Sequence, residues 1–121
     1  MRLHQTDTVD YLGLSKDRST VVLFLIDELD WADERQHLAL LQAKLNRYFD
    51  SIESGEVFEQ LVERTGVEVA PTTPTRIKIL SKYPPEGEGE DFFNYVRTIC
   101  RDCGVEFEFK TLTGPAEPYG Y

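Results

Sequence analysis

The feature that most constrains the fold is a run of six apolar residues that stops at an acidic turn. Val21 to Ile26 reads VVLFLI, and Asp27 to Trp31 reads DELDW. Because the run is short and apolar on both faces, it predicts a central strand that is covered, at least in part, on both sides. A helical pattern then continues to Gly55. A buried strand therefore leads into a helix through a charged joint, which is typical of a domain that combines helices with a partly parallel sheet.

Three stretches have the three- and four-residue spacing of an amphipathic helix. The first is capped by Asp30 or Asp33 and ends at Gly55. The second runs to about Arg64, and the third ends at Gly104. The residues predicted to face the core are Leu38, Leu41, Leu45, Tyr48 or Phe49, and Ile52 in the first helix, Val57, Phe58, Leu61 and Val62 in the second, and Phe92, Val96, Ile99 and Cys103 in the third.

Strand patterns occupy the rest of the chain up to about residue 110. Thr8–Leu14 alternates weakly and joins Thr20–Ile26 through a short polar turn, which predicts an antiparallel hairpin. Apolar and polar residues also alternate in Arg76–Ser81 and in Val105–Lys110. In each of these strands, every second side chain should therefore face the core. Between them, two prolines and two glycines in Tyr83–Glu90 predict an exposed loop without regular structure.

The resulting order is ββααβαβ. Right-handed crossovers place the helices on one face if the chain steps across the sheet in one direction. The sequence therefore predicts an α+β or α/β two-layer sandwich with a four-stranded mixed sheet: a single domain over residues 1–113 and a flexible tail over residues 114–121. The open face should carry an apolar strip on the second strand (Val22, Phe24 and Ile26, or the alternate set), covered by the tail or by another subunit.

The charge balance excludes several classes of partner. The chain has 22 acidic and 13 basic residues, for a net charge of −9. Nucleic acids and anionic membrane surfaces both require cationic groups, so neither is an expected partner. No apolar stretch approaches the roughly 20 residues of a membrane span, and the first residues lack the apolar core of a secretory signal. We expect a cytoplasmic protein whose charge suits a basic protein partner.

The acidic joint and its helix resemble a family of small bacterial proteins of unknown function. The similarity lies in the acidic-Leu-acidic-Trp turn of Asp27–Trp31, in the His-Leu, Leu-Leu-Gln, Lys, Asn and Tyr positions of residues 37–48, and in the Ile-Glu-Ser-Gly that ends the helix. It extends over roughly Val21–Thr111 and implies no activity. In topology alone, the chain is similar to the barstar-like ribonuclease inhibitors, small acidic proteins that block a basic enzyme cleft.

Acidic residues follow two strands that are predicted to be parallel neighbours. The carboxyl ends of such strands meet at one edge of the sheet, where ligands commonly bind. Carboxylates interleaved with aromatic rings suit a cationic protein surface, although they would equally cap helices and solvate loops. The candidate partner-binding residues are Asp27, Glu28, Asp30 and Trp31 after the second strand and Glu86, Glu88 and Glu90 after the third.

Other chemistries lack the residues that they need. The carboxylates do not have the spacing of a calcium-binding loop, so we expect no metal site. Cys100 and Cys103 have the spacing of a redox pair, but they end a helix and are interpreted as core or near-core thiols. No nucleophile is arranged with His37, and no phosphate or dinucleotide loop is present. We expect no catalytic residues and no cofactor.

Two functions from different classes fit this pattern. The first is a non-enzymatic protein-binding module, in concrete form an immunity- or antitoxin-like inhibitor of a basic toxin or enzyme that uses the acidic edge. The alternative is a structural or assembly module that acts as a homodimer through the apolar strip of the sheet face.

Overall fold

A computed structural model describes residues 9–85 and 87–111 of the chain. Its elements follow the predicted ββααβαβ order. In sequence they are β1 (Tyr11–Leu14), β2 (Val21–Asp27), α1 (Glu34–Ser54), α2 (Glu56–Thr65), β3 (Thr75–Ser81), α3 (Glu88–Cys103) and β4 (Glu106–Thr111). The predicted tail, residues 114–121, and Thr8 of the predicted first strand lie outside the described residues.

The four strands form one sheet in the order β1-β2-β3-β4. β1 is antiparallel to β2, whereas β2, β3 and β4 are parallel. Leu23 lies opposite Ile77 and Leu25 lies opposite Ile79, so both strands place aliphatic side chains on the same face. The predicted two-layer architecture with a four-stranded mixed sheet is therefore confirmed.

All three helices pack on this face of the sheet. Leu23 and Leu25 of β2 belong to the same buried cluster as Ile77 and Ile79 of β3. The cluster includes helical residues from each of the three helices: Leu41, Leu45 and Tyr48 of α1, Val57 and Leu61 of α2, and Phe93, Val96 and Cys100 of α3. Burial of these side chains supplies the main driving force for folding.

The opposite face of the sheet carries a second, smaller apolar cluster. It consists of Val22, Phe24, Ile26 and Leu80, none of which is more than 4% exposed. Lys78 alternates with the core-facing Ile77 and Ile79, so it shares this face and is also buried. The predicted apolar strip is thus present on β2, and its side chains are buried.

The predicted loop over Tyr83–Glu90 was wrong at its end, because α3 begins at Glu88. Two contacts explain the difference. The Glu34 carboxylate accepts a hydrogen bond from the Glu88 backbone N–H at 2.8 Å, which caps the new helix. Gly89 lies inside the first turn, where its missing side chain admits the ring of Trp31. The glycine serves close packing here, not a break in the helix.

The predicted stripe of α3 was correct at Val96, whereas Phe92 and Ile99 are only half-buried. The buried residues are Gly89, Phe93, Val96 and Cys100, whereas Cys103 is exposed. Cys103 is therefore not a core thiol, contrary to the interpretation from the sequence. The two cysteines face different environments, three residues apart on the same helix.

A polar network inside the core joins α1 to the start of β1. The Lys44 ammonium donates to Asp10 Oδ1 at 2.5 Å, and both side chains are buried. Asp10 is the residue before β1, and its Oδ2 accepts from the Ile26 backbone N–H at 3.0 Å. The carboxylate thus acts as the acceptor for β2 where the backbone pairing with β1 has ended. The Tyr48 hydroxyl donates to the Phe24 carbonyl at 2.6 Å, and burial raises the pKa of this phenol well above its usual range.

Replacing Lys44 with Met tests this network. The change leaves the Asp10 carboxylate buried without its ammonium, and breaking a buried pair in this way costs about 3–5 kcal/mol. We expect Lys44→Met to lower the free energy of unfolding by that amount in urea denaturation followed by circular dichroism. The double variant Lys44→Met/Asp10→Asn removes the stranded charge and should recover part of the loss. Equal stability of the single and double variants would contradict the role of this pair.

Candidate functional site

The strands β2 and β3 end side by side, and this edge is where the candidate residues lie. Asp27 is the last residue of β2 and pairs with Ser81, the last residue of β3. The Lys82 N–H donates to the Asp27 carbonyl at 2.8 Å, which extends the pairing by one step. The chain then leaves β2 through residues 28–33 and leaves β3 through residues 82–87. These two turns, together with the first turns of α1 and α3, form what we call the acidic rim.

The side chain of Asp27 points into the protein and binds the first turn of α1. Asp27 and His37 are 0% and 1% exposed, respectively. Asp27 Oδ2 lies 2.6 Å from His37 Nε2, and Asp27 Oδ1 accepts from the Leu29 N–H at 3.1 Å. His37 Nδ1 lies 2.9 Å from the carbonyl oxygen of Asp30. Both ring nitrogens thus lie within hydrogen-bond distance of an oxygen atom, which fixes the orientation of the imidazole ring.

Trp31 lies between this pair and α3. Its ring stacks on His37 with centroids 3.8 Å apart and meets Phe93 edge-on at 6.4 Å. A Cβ added to Gly89 would lie 2.8 Å from the Trp31 ring, so only glycine fits at this point of α3. The Trp31 Nε1 is buried and has no hydrogen-bond acceptor in the part of the chain that the structure describes.

Direct contacts bring the two turns of the rim together. Glu34 at the start of α1 caps the N–H of Glu88 at the start of α3, and Trp31 touches Gly89. Asp33 caps α1 by accepting from the Gln36 N–H at 3.1 Å. Of the two predicted caps, Asp30 and Asp33, the structure therefore has Asp33. Segments more than 50 residues apart in sequence are therefore parts of one surface.

An open depression of about 360 Å³ lies on the rim, lined by Asp30, Trp31, Ala32, Tyr83 and Pro84. Tyr83 is 37% exposed at its border. The Lys82 ammonium lies 5.6 Å from the centre of the Tyr83 ring, within the range of a cation–π interaction. The depression thus combines a carboxylate with aromatic surface, and one of its rings already attracts a cation.

The structure divides the predicted site residues into three groups. Glu28, Asp30, Glu88 and Glu90 are exposed on the rim, where the sequence placed them. Trp31 is half-buried and packs on its neighbours, whereas Asp27 is fully buried and cannot reach a partner. Glu86 lies outside the described residues.

Two residues that organise the rim were missed. His37 lies four residues before Leu41, and Gly89 lies four residues before Phe93, so both fall on the buried stripe of their helix. That spacing is visible in the sequence and could have identified them. His37 was weighed only for a catalytic role and Gly89 only as part of a loop, because the predicted stripes contained apolar residues alone.

The described residues carry no other assembled reactive site. Within residues 9–85 and 87–111, no three His, Cys, Asp or Glu side chains converge in a way that could hold a metal ion. Burial, with a smaller contribution from Cys103, raises the pKa of the Cys100 thiol to about 11, which keeps it protonated and unreactive at neutral pH. Over the same residues, no helix has the length and apolarity needed to cross a bilayer.

Comparison with known proteins identifies the family of the chain. Residues 1–113 match a family of unknown function, DUF6572, and the chain belongs to it. No curated protein and no solved structure matches the chain. The geometry of the rim is therefore the main basis for assigning a function.

Changing Gly89 to Ala tests the contact with Trp31. Alanine favours a helix by about 1 kcal/mol over glycine, but the overpacking against the ring costs about 1–3 kcal/mol. We expect Gly89→Ala to lower the free energy of unfolding by about 1 kcal/mol and to shift the fluorescence of Trp31, the single tryptophan. In a Trp31→Ala background, the same change should be neutral or stabilising. Equal effects in both backgrounds would show that the two residues do not touch.

Two replacements of Asp27 test its bond to His37. Asp27→Ala removes the acceptor of the Leu29 N–H and the partner of the His37 ring, with an expected loss of about 2–4 kcal/mol of folding free energy. Asp27→Asn keeps an oxygen for Leu29 and offers an amide N–H to the imidazole, so it should lose less than half as much. Chemical denaturation measures both. Identical losses would mean that the hydrogen bonds do not matter.

Proposed function

We propose that this member of DUF6572 is a non-enzymatic protein-binding module that presents its acidic rim to a cationic surface of a protein partner. The observation that carries the proposal is the contact between the two turns: the Glu34 carboxylate binds the Glu88 N–H at 2.8 Å. Because this bond holds two acidic segments together, their charges act on the same partner.

Charge on the rim is strongly unbalanced. Excluding the buried Asp27, the described rim segments carry seven carboxylates and two cations, Arg35 and Lys82. Such a surface raises the rate of encounter with a basic protein and disfavours acidic partners. The seven carboxylates are those of Glu28, Asp30, Asp33, Glu34, Glu88, Glu90 and Asp91.

The depression supplies a place for one anchoring side chain. An arginine of the partner would stack on the exposed ring of Tyr83 and pair with the carboxylate of Asp30. Arginine is favoured over lysine because its flat guanidinium both stacks on rings and binds carboxylates through two N–H groups. Aromatic and arginine contacts of this kind commonly dominate the free energy of binding at protein interfaces.

The geometry changes the residues that we assign to binding. Glu28, Asp30, Glu88 and Glu90 form the contact surface, and Tyr83 joins them. Asp27 positions the surface from below, through His37 and Trp31, without touching the partner. Glu86, which follows Pro85 in the same turn, stays a predicted contact residue.

The concrete form that we propose is an immunity- or antitoxin-like inhibitor of a basic toxin or enzyme. A net charge of −9 and a rigid acidic edge suit the blocking of a cationic cleft. The alternative, a homodimer formed through the sheet face, is less favoured because Val22, Phe24 and Ile26 are at most 4% exposed.

Reversing charges on the rim tests the proposal. In the rim variant, Glu28, Asp30 and Glu90 are all replaced by lysine, so that the rim repels a cationic surface. Like charges across an interface weaken binding by about tenfold or more. The measurement is affinity capture from the native cell at low and high salt, quantified by mass spectrometry. We expect the wild-type chain to capture basic proteins at low salt and to release them at high salt. The rim variant should not capture these proteins.

A matched control separates position from net charge. Lysine at Glu53, Asp102 and Glu106 makes the same change at the other edge of the sheet, because these exposed residues lie near the carboxyl ends of α1 and α3 and at the start of β4. The control should retain the captured proteins. Loss of capture by both variants, or by neither, would contradict binding through the rim.

A further inference from the structure

The outer side of α1 is unusual in this acidic chain because its central part carries no charge. Between Arg35 and Arg47, the exposed residues of α1 are Gln36, Ala39, Gln42, Ala43 and Asn46. The two ionisable residues in the interval, His37 and Lys44, are both buried. Overall, 29% of the residues are charged, so three neutral exposed turns require an explanation. Loss of charge at the centre of a patch is typical of protein interfaces.

A groove between α1 and α3 borders this neutral stripe. Its volume is about 240 Å³, and it is lined by Gln42, Leu45, Asn46, Phe49, Phe92, Tyr95, Val96 and Ile99. Tyr95 stands at its edge with 64% of its surface exposed, the highest value among the large hydrophobic residues described as exposed. Exposed tyrosine beside a neutral apolar groove matches the composition of interface cores. We call the stripe and the groove together the helix face.

We propose that the helix face is the interface between two copies of this chain. Charge is the reason for choosing a second copy as the occupant. Two molecules of net charge −9 repel each other, so they associate only where the contact itself is neutral and the flanking charges are opposite. The neutral stripe meets the first condition, and its two ends meet the second.

An antiparallel packing of α1 against α1 of the second copy pairs these ends. If Gln42 lies opposite Ala43 of the second copy, then Ala39 lies opposite Asn46. One further turn outward, Arg35 lies opposite Asp50, and both of these residues are exposed. Two-fold symmetry repeats this ion pair at the other end of the contact. The small side chains of Ala39 and Ala43 let the helices approach closely, and the opposed helix dipoles add attraction.

The helix face and the acidic rim are different surfaces that meet at Arg35, which lies in the first turn of α1. The rim lies at the carboxyl ends of the strands, whereas the helix face lies on the outer side of the helix layer. A dimer formed through the helix face therefore leaves both rims open, and the assembly would present two acidic edges. This proposal does not rest on the binding function of the rim, and either can fail without the other.

Sedimentation of the full chain over a concentration series tests the interface. The wild-type chain should form a dimer. Ala43→Glu and Tyr95→Glu each place an acidic group in the contact and should raise the dissociation constant about tenfold or more. Val62→Glu is the matched control, because Val62 is an exposed apolar residue of α2, outside the helix face, and is 43% exposed. Circular dichroism confirms that each variant is folded.

A charge swap tests the antiparallel register. Arg35→Glu and Asp50→Arg should each weaken the dimer by placing like charges opposite one another, and the double variant should restore it. A chain that stays monomeric over the whole series would overturn the proposal. So would a dimer that tolerates both Ala43→Glu and Tyr95→Glu, or a charge swap that fails to restore association.

Discussion

The hydrogen bond between Asp27 and His37 is the interaction on which the rim depends. It joins the last residue of a central strand to the first turn of the helix that follows, inside the protein and at 2.6 Å. The imidazole then supports the ring of Trp31, and that ring lies against Gly89 at the start of α3. Together with the hydrogen bond between Glu34 and Glu88, this buried contact sets the position of two turns that are distant in sequence. The exposed carboxylates owe their common direction to these two contacts.

Charge is distributed unevenly over the molecule, and the two proposals follow from this. The carboxyl ends of β2 and β3 concentrate negative charge around a depression with aromatic walls, which suits a basic partner. The outer side of α1 carries no charge over three turns, which suits a second copy of the same acidic chain. The sheet face, by contrast, has buried its apolar residues and offers neither property. Surface chemistry, more than any reactive group, distinguishes the parts of this domain.

Patterns local in the sequence predicted most of the fold. Apolar runs and helical spacing were enough for the order of elements, and chain connectivity was enough for the sheet and for the meeting of the two acidic turns. The errors concern side chains that meet across elements. Asp27 looked like an exposed loop acid because its partner His37 lies ten residues away, and Gly89 looked like a loop residue because its partner Trp31 lies in another turn. Helical spacing could have shown that His37 and Gly89 are buried, but it does not show which residues they contact.

The most direct test of the assembled rim is the nuclear magnetic resonance spectrum of Gly89. If Trp31 lies against Gly89 as described, the ring current shifts upfield the signal of the Hα that occupies the Cβ direction of this glycine. Nuclear Overhauser contacts then join this proton to the indole ring, because a Cβ placed there would lie only 2.8 Å from a ring carbon. Random-coil shifts at Gly89 without contacts to the indole would mean that the two turns do not meet and that no common acidic surface exists.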